Sequence, residues 1–423
     1  MDNSGQPVLY MSGTVPKRSE TFVYREIIAL RSLGLDIQTA SVHAPMHELD
    51  DGILEKMAQA TTEIYSSGSL SILADMFAEL FTHPVKTICT MTRCKLDAFF
   101  SSDVKMSRRP KVVWQGLAGL ALAHRVRSKR VAHIHAHMAH VPTTVAMYAA
   151  KQLGVSFSFT GHANDLFPNR TLLKEKLERA VFTNCISHWH RAFYQSIVPK
   201  PDTEYPIVRC GVDTSQYEST PAPRGETLEI LSVGRLVEKK GFDVLIKAAG
   251  QIAKAGGPPM RITIAGGGPD EDHLQSLVES LPPTAQVELL GDTDNDRVME
   301  LMTQVDVFAL PCRVASSGDR DGIPVVLMEA MARGRCVISG DLETIRELIE
   351  DGVSGVMIPP GSQEALGKVL VELAKNRDRV DELGRAARTR IETEFDLMLN
   401  ANRIQSALEL HGIRSSGAGT KSE

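Results

Sequence analysis

The sequence predicts an α/β protein made of two doubly wound parallel sheets facing each other across a cleft, and three observations predict it. At 423 residues the chain exceeds what one hydrophobic core usually holds and suggests two domains of about 200 residues each. Short apolar runs alternate with helical patterns, as parallel strands wrapped by helices do. The alternation occurs as two series, one in each half of the chain.

Taken in order, the strand runs of the first half are Val8 to Met11, Ile37 to Val42, Ala132 to Ala136, Phe157 to Thr160 and Cys185-Ile186. Those of the second half are Leu228 to Val233, Arg261 to Ala265, Val287 to Leu290, Val307 to Leu310 and Cys336 to Ile338. The switch between halves is expected near Arg209 to Asp213, giving a first domain over 1–208 and a second over 209–395. Helical periodicity returns from about Glu394 to Leu410, and the polar tail 413–423 is expected to be disordered. Sheets of this kind bind ligands at the carboxyl ends of their strands.

Composition excludes some classes. A net charge of −5 and a pI near 6.2 give no global attraction to nucleic acid. Six cysteines, no signal-like segment and no apolar run of membrane-spanning length predict reduced thiols in the cytoplasm.

Two local patterns carry chemistry. In Asp321-Gly-Ile-Pro-Val-Val-Leu-Met-Glu329, one carboxylate sits in a Gly-Pro turn and the second inside an otherwise apolar helix that starts at Pro324 and stops at Gly334. Such a helix is buried all round, so Glu329 needs a partner. Arg333, one turn on, and a ligand diol such as a ribose both qualify. The second pattern is the run Ile230 to Ile246, which reads as a buried strand, a basic loop and a new helix. Arg235 and Lys240 then flank a helix N-terminus, where backbone N–H groups, the dipole and two cations suit an anion such as a diphosphate.

These segments carry a resemblance to a known family. Val233 to Gly241, Val307 to Pro311, Asp321 to Ala332, Glu347 to Gly352 and Ile358 to Gly361 resemble glycosyltransferases of family 4, which have the GT-B fold of two Rossmann-like domains. Ser19 to Val23, His133 to His137, Phe157 to Asp165 and Cys210 to Asp213 resemble its bacterial exopolysaccharide branch, including enzymes of colanic acid assembly. The resemblance implies a retaining transfer of a sugar from a nucleotide-diphosphate donor to a hydroxyl of a glycan or polyprenyl-diphosphate-linked acceptor, with a last helix, about 396–412, packing back on the first domain. It implies that Glu329 binds the ribose and Asp321 the transferred sugar, helped by backbone around Gly322, Ile323, Pro324 and Val325. Arg235 and Lys240 would stabilise the departing diphosphate, Gly13 would let backbone approach it, and His162 would contact the donor sugar. His137 and Asp165 would lie on the acceptor side. Relatives more often carry Glu where this chain has Asp321. Other readings are a nucleotide-sugar epimerase or phosphorylase, or a non-catalytic nucleotide-binding component of a polysaccharide assembly complex.

The remaining motifs read more weakly. His133, His135 and His137 share one strand face, but no neighbouring carboxylate in the sequence orients them as metal ligands. Gly266-Gly-Gly268 is followed by Asp270, Glu271 and Asp272, which would repel a pyrophosphate, so a tight strand-to-helix turn is expected. Asp319-Arg-Asp321 mimics a metal-binding pair, yet two cations on the leaving group make a divalent ion unnecessary, and no metal or other cofactor is expected. Finally, Lys105 to Arg130 holds eight basic residues and no acid around the Trp-bearing run Val112 to Ala123. It suits either an anionic bilayer surface on the inner face of the cell membrane or a helix packed on the first sheet with solvated ends.

Overall fold

In the computed structural model, residues 5–17, 20–46, 52–162, 170–220 and 225–414 are described. They form two compact units, one running to Cys210 and resuming at Leu397, the other Gly211–Asp396.

The first unit holds a six-stranded sheet of β1 (Val8–Ser12), β2 (Ile37–Ser41), β3 (Thr62–Glu63), β4 (His133–His137), β5 (Ser156–Thr160) and β6 (Thr183–Asn184). All its pairings are parallel and the order is β3-β2-β1-β4-β5-β6. The second unit repeats the plan with β7 (Leu228–Val233), β8 (Met260–Ala265), β9 (Gln286–Leu289), β10 (Val307–Leu310), β11 (Cys336–Gly340) and β12 (Val356–Ile358), in the order β12-β11-β10-β7-β8-β9. In each sheet the order reverses beside the first strand, between β1 and β4 and between β7 and β10. Loops leave these switch points in opposite directions and open a crevice at the carboxyl ends.

The strand periodicity explains the packing. Along β1, Leu9 and Met11 enter one apolar cluster with the helices Arg109–Val126 and Val141–Leu153, while Val8 and Tyr10 enter another with Thr21–Ser32 and Leu397–Leu410. A strand buried on both faces is apolar throughout, which is why these runs stand out in the sequence. Short strands do not: β3 and β12 have two and three residues, and the expected strand at Cys185-Ile186 is β6 two residues earlier, with Cys185 in an isolated bridge to Ile207.

Of the two readings of Lys105 to Arg130, the structure shows the packed helix. Arg109–Val126 is packed inside the first unit, with Val112, Gly116, Val126 and the run Ala118 to Ala123 buried. Its small residues permit this. A Cβ on Gly119 would lie 2.9 Å from Tyr148 Cβ, and one on Gly116 would lie 2.3 Å from Cys94 Sγ. The basic residues at its far end are used internally. Arg125 Nε donates to Asp75 Oδ2 at 2.7 Å, Arg127 donates to both oxygens of Glu79, and Lys129 Nζ donates to Thr62 Oγ1 at 3.0 Å. No helix among the described residues is long and apolar enough to cross a membrane.

Candidate functional site

In the second unit the switch point gathers two loops. After β7 the chain passes Gly234 at φ +156° and Arg235, makes a short 3-10 turn at Glu238–Lys240, and turns through Gly241 at φ +72° into the helix Phe242–Lys254. Gly241 is required there, since a Cβ would lie 2.1 Å from the Pro311 carbonyl oxygen of the β10 loop. That close approach brings the charged groups together. Lys240 Nζ is 2.7 Å from Asp321 Oδ2, while Lys239 Nζ is 3.3 Å from Asp321 Oδ1 and 3.0 Å from Asp319 Oδ2. Burial alone would lower the Lys239 pKa, but Asp321 and Asp319 raise it above its ordinary value. Cys312, whose Sγ lies 3.6 Å from Asp321 Oδ2, has its thiol pushed up to about 12 by burial and by that carboxylate. Thr344 Oγ1 donates to the Asp321 carbonyl at 3.1 Å and ties the loop to the segment after β11.

Arg235 stands apart from this cluster. It is exposed and lines a cavity of ≈ 590 Å³ with Gly234, Gly266, Gly267, Gly268 and Asp292. Lys239 is a further cation beside Lys240 that the sequence reading did not single out. The triple glycine is a packing device: a Cβ on Gly266 would lie 2.1 Å from the Gly234 carbonyl oxygen, and one on Gly268 would lie 2.4 Å from that of Leu236.

Asp321 is followed by half-buried Gly322 and Ile323, buried Pro324, and the helix Val325–Ala332. Val325 and Val326 are half-buried, so the helix is enclosed only from Leu327 on, a correction to the all-round burial that its composition suggested. Glu329 is buried and accepts from the Tyr217 hydroxyl at 3.2 Å. The Arg333 guanidinium lies over the Tyr217 ring, 5.4 Å from its centroid. Tyr217 is a partner that the sequence did not suggest, because 112 positions separate it from Glu329.

In the first unit, Gly13 follows β1 and lines a cavity of ≈ 200 Å³ with Thr14, Lys17, His43 and His140; a Cβ there would meet nothing within 4 Å. His137 ends β4, and His162 follows β5. Both are buried, with His137 Nδ1 3.3 Å from His162 Nε2 and His137 Nε2 3.0 Å from Glu26 Oε1. Glu26, on the helix Thr21–Ser32, is thus the orienting carboxylate that the sequence reading did not find near the histidines. Burial, reinforced by His137, holds the His162 pKa well below the ordinary histidine value, so its ring is neutral at pH 7. Among the described residues, the group able to share an ion is Glu26, His135 and His137, with ligand atoms within 4.8 Å of one another. Hydrogen bonds already engage His135 and His137: His135 reaches Ser158 Oγ at 2.7 Å and Thr160 Oγ1 at 3.0 Å. Asp165 lies outside the described residues.

Comparison with known proteins agrees with this geometry. Residues 214–390 match the family described as Glycosyl transferases group 1. A protein of Salmonella typhimurium named as a colanic acid biosynthesis glycosyltransferase, WcaL, is 36% identical over 212 residues, covering 49% of this chain and 52% of that one. The amylovoran biosynthesis glycosyltransferase AmsK of Erwinia amylovora is 35% identical over 210 residues, 49% and 51% of the two chains. The match thus spans about half the length of these curated relatives. Among solved structures, Anabaena HepE in complex with UDP superposes with a TM-score of 0.69 at 14% identity, over 96% of this chain and all of that one. The lipopolysaccharide outer core galactosyltransferase WaaB gives 0.68 at 16% identity, again over 96% of this chain. These likenesses identify the fold as GT-B, and over residues 214–390 the chain is similar to the group 1 glycosyl transferases.

Proposed function

We propose that the chain is a retaining glycosyltransferase that moves a sugar from a nucleotide-diphosphate donor to a hydroxyl of a glycan or polyprenyl-diphosphate-linked acceptor in exopolysaccharide assembly. The observation that carries this reading is the convergence of Lys239, Lys240 and Asp321 at the β7–β10 switch point, with Glu329 buried on the helix that follows, inside the segment similar to the family. Glu329, steadied by Tyr217, accepts from the two ribose hydroxyls. A diphosphate that reaches Lys240 competes with Asp321 for its ammonium, so the donor's charged half and the carboxylate that receives sugar hydroxyls engage together.

In the reaction the bond from the anomeric carbon to the diphosphate oxygen breaks and a bond to the acceptor oxygen forms on the same face. The acceptor proton passes to an oxygen of the leaving phosphate, and Lys239, Lys240 and Arg235 stabilise the charge that develops there. Three cations make a divalent ion unnecessary. His162, neutral and held through His137 by Glu26, presents a ring nitrogen to the sugar. The cytoplasm, where nucleotide sugars are made, is the compartment this chemistry requires.

The test is to incubate the purified chain with a panel of labelled UDP- and GDP-sugars and a lipid-linked oligosaccharide fraction. Label on the lipid fraction with release of nucleoside diphosphate supports transfer; label recovered as an epimer or as a sugar phosphate replaces it with epimerase or phosphorylase chemistry.

A further inference from the structure

Residues 64–102 contain only three acids, Asp75, Glu79 and Asp97. Each is turned onto an arginine of another element: Asp75 Oδ2 lies 2.7 Å from Arg125 Nε, Glu79 Oε2 2.7 Å from Arg127 Nη2, and Asp97 Oδ2 2.7 Å from Arg179 Nη1. The outward face of this segment is correspondingly apolar. On the helix Gly68–Thr82, Leu70, Phe77 and Phe81 recur at helical spacing and are 82%, 50% and 82% exposed. On the next helix, Pro84–Phe100, Val85, Ile88, Leu96 and Phe99 form one stripe opposite the buried face of Thr87, Thr90, Cys94 and Asp97, with Phe100 81% exposed at its end.

The charges that accompany this stripe are positive. Lys86 and Lys95 are exposed on the second helix, where Arg93 pairs with Asp97 at 3.0 Å, and the Arg109 guanidinium lies 5.5 Å from the Phe99 ring centroid, beside exposed Lys105 and Lys111. Large apolar side chains exposed at helical spacing on two consecutive helices mark an interaction surface more often than scattered single ones do. Side chains without donors or acceptors, bordered by cations and with every acid withdrawn, match one surface chemistry: acyl chains beneath anionic headgroups.

We propose that the helical hairpin Gly68–Phe100 docks the chain on an anionic lipid bilayer. Leu70, Phe77, Phe81, Val85, Phe99 and Phe100 enter the headgroup–acyl boundary, and Lys86 and Lys95 face the lipid phosphates. This surface differs from the buried helix that the basic run Lys105 to Arg130 had suggested. It goes beyond the donor reading and does not depend on it, although it suits a lipid-linked acceptor.

The test uses the full chain in flotation with phosphatidylcholine vesicles, with or without phosphatidylglycerol. Wild type is expected to float with the anionic vesicles. Phe81→Asp combined with Phe100→Asp, at positions that bury little, should lower the bound fraction about tenfold or more at unchanged Tm. Lys86→Glu with Lys95→Glu should lower binding to the anionic vesicles and leave binding to the neutral ones unaltered. Nucleoside diphosphate affinity measured on the same variants should not move, which keeps the outcome separate from that of the donor reading. The proposal is overturned by wild type that stays unbound to both vesicles, or by binding indifferent to the aromatic substitutions. It is also overturned by a wild-type dimer that those substitutions convert to monomer without lipid, which would assign the stripe to a second copy of the chain.

Discussion

Lys240 Nζ stands 2.7 Å from Asp321 Oδ2, joining two residues that lie 81 positions apart on the loops after β7 and β10. Each is the other's counter-charge, and Lys239 bridges Asp321 to Asp319 beside them. The pair therefore has to be treated as one functional unit.

Lys240→Ala should lower turnover by about 10²–10³-fold, the usual cost of removing one electrostatic stabiliser of a leaving oxygen. Stability should fall by only about 1 kcal/mol, because Lys239 remains beside Asp321 and the pair is partly solvated. Initial rates and the unfolding midpoint, measured together, check this; normal turnover with a large fall in Tm would make the pair structural.

Activity should persist in EDTA. Asp319 and Asp321 both pair with lysines, and a cation replacing those lysines would have to displace two ammonium groups. Loss of transfer in EDTA with recovery on adding Mg²⁺ or Mn²⁺ would restore the two aspartates as metal ligands.

Glu26→Gln should reduce kcat with little effect on nucleoside diphosphate binding. Donation from His137 Nε2–H to Glu26 would leave Nδ1 to accept from His162 Nε2–H and would fix the His162 tautomer. An amide can donate as well as accept and no longer specifies that direction. A kcat equal to wild type would remove Glu26 from the chain of positioning contacts.

The first unit should lose stability as pH falls below about 6.5. His133, with its pKa lowered to about 3 by burial and the nearby His411, and His135 and His162, both held well below the ordinary value, are neutral when folded but protonate when unfolded. The unfolded state thus binds more protons throughout the window from the unfolded pKa down to about 3, so stability is fully present above that window and is lost progressively through it. Each such histidine contributes a slope of about 1.4 kcal/mol per pH unit. His133→Gln should flatten the pH dependence of the unfolding free energy by about one proton; an unchanged slope would mean His133 titrates normally.

Much of this was legible in the sequence, for identifiable physical reasons. Strands of a parallel sheet are apolar on both faces, so β1, β7 and β10 announce themselves, and Asp321, Lys240 and Glu329 stand out as charges in apolar or turn contexts. What the sequence hid is pairing at a distance. Nothing local to Glu26 points to His137, 111 positions on, nor does anything local to Tyr217 point to Glu329. The basic run Lys105 to Arg130 left two readings open for a related reason, since Asp75 and Glu79, which neutralise Arg125 and Arg127, lie on another helix.

Glu329 gives the sharpest test, and Tyr217 refines it. If Glu329 accepts from the ribose diol, Glu329→Ala should weaken nucleoside diphosphate binding by about 1.5 to 3 kcal/mol, the scale of hydrogen bonds to a charged group. Folding should largely survive, with the Tyr217 ring still beneath Arg333. Tyr217→Phe keeps that ring and removes only the hydroxyl that steadies the carboxylate, so its effect on binding should be smaller, about 0.5 to 1.5 kcal/mol. A purely structural Glu329 predicts the reverse order of damage: unchanged nucleotide affinity in both variants and a fall of about 3 to 5 kcal/mol in the stability of Glu329→Ala, the cost of stranding a buried charge. Isothermal titration with nucleoside diphosphate and chemical denaturation of the same two variants separate these outcomes, since only the ribose reading places the loss in binding.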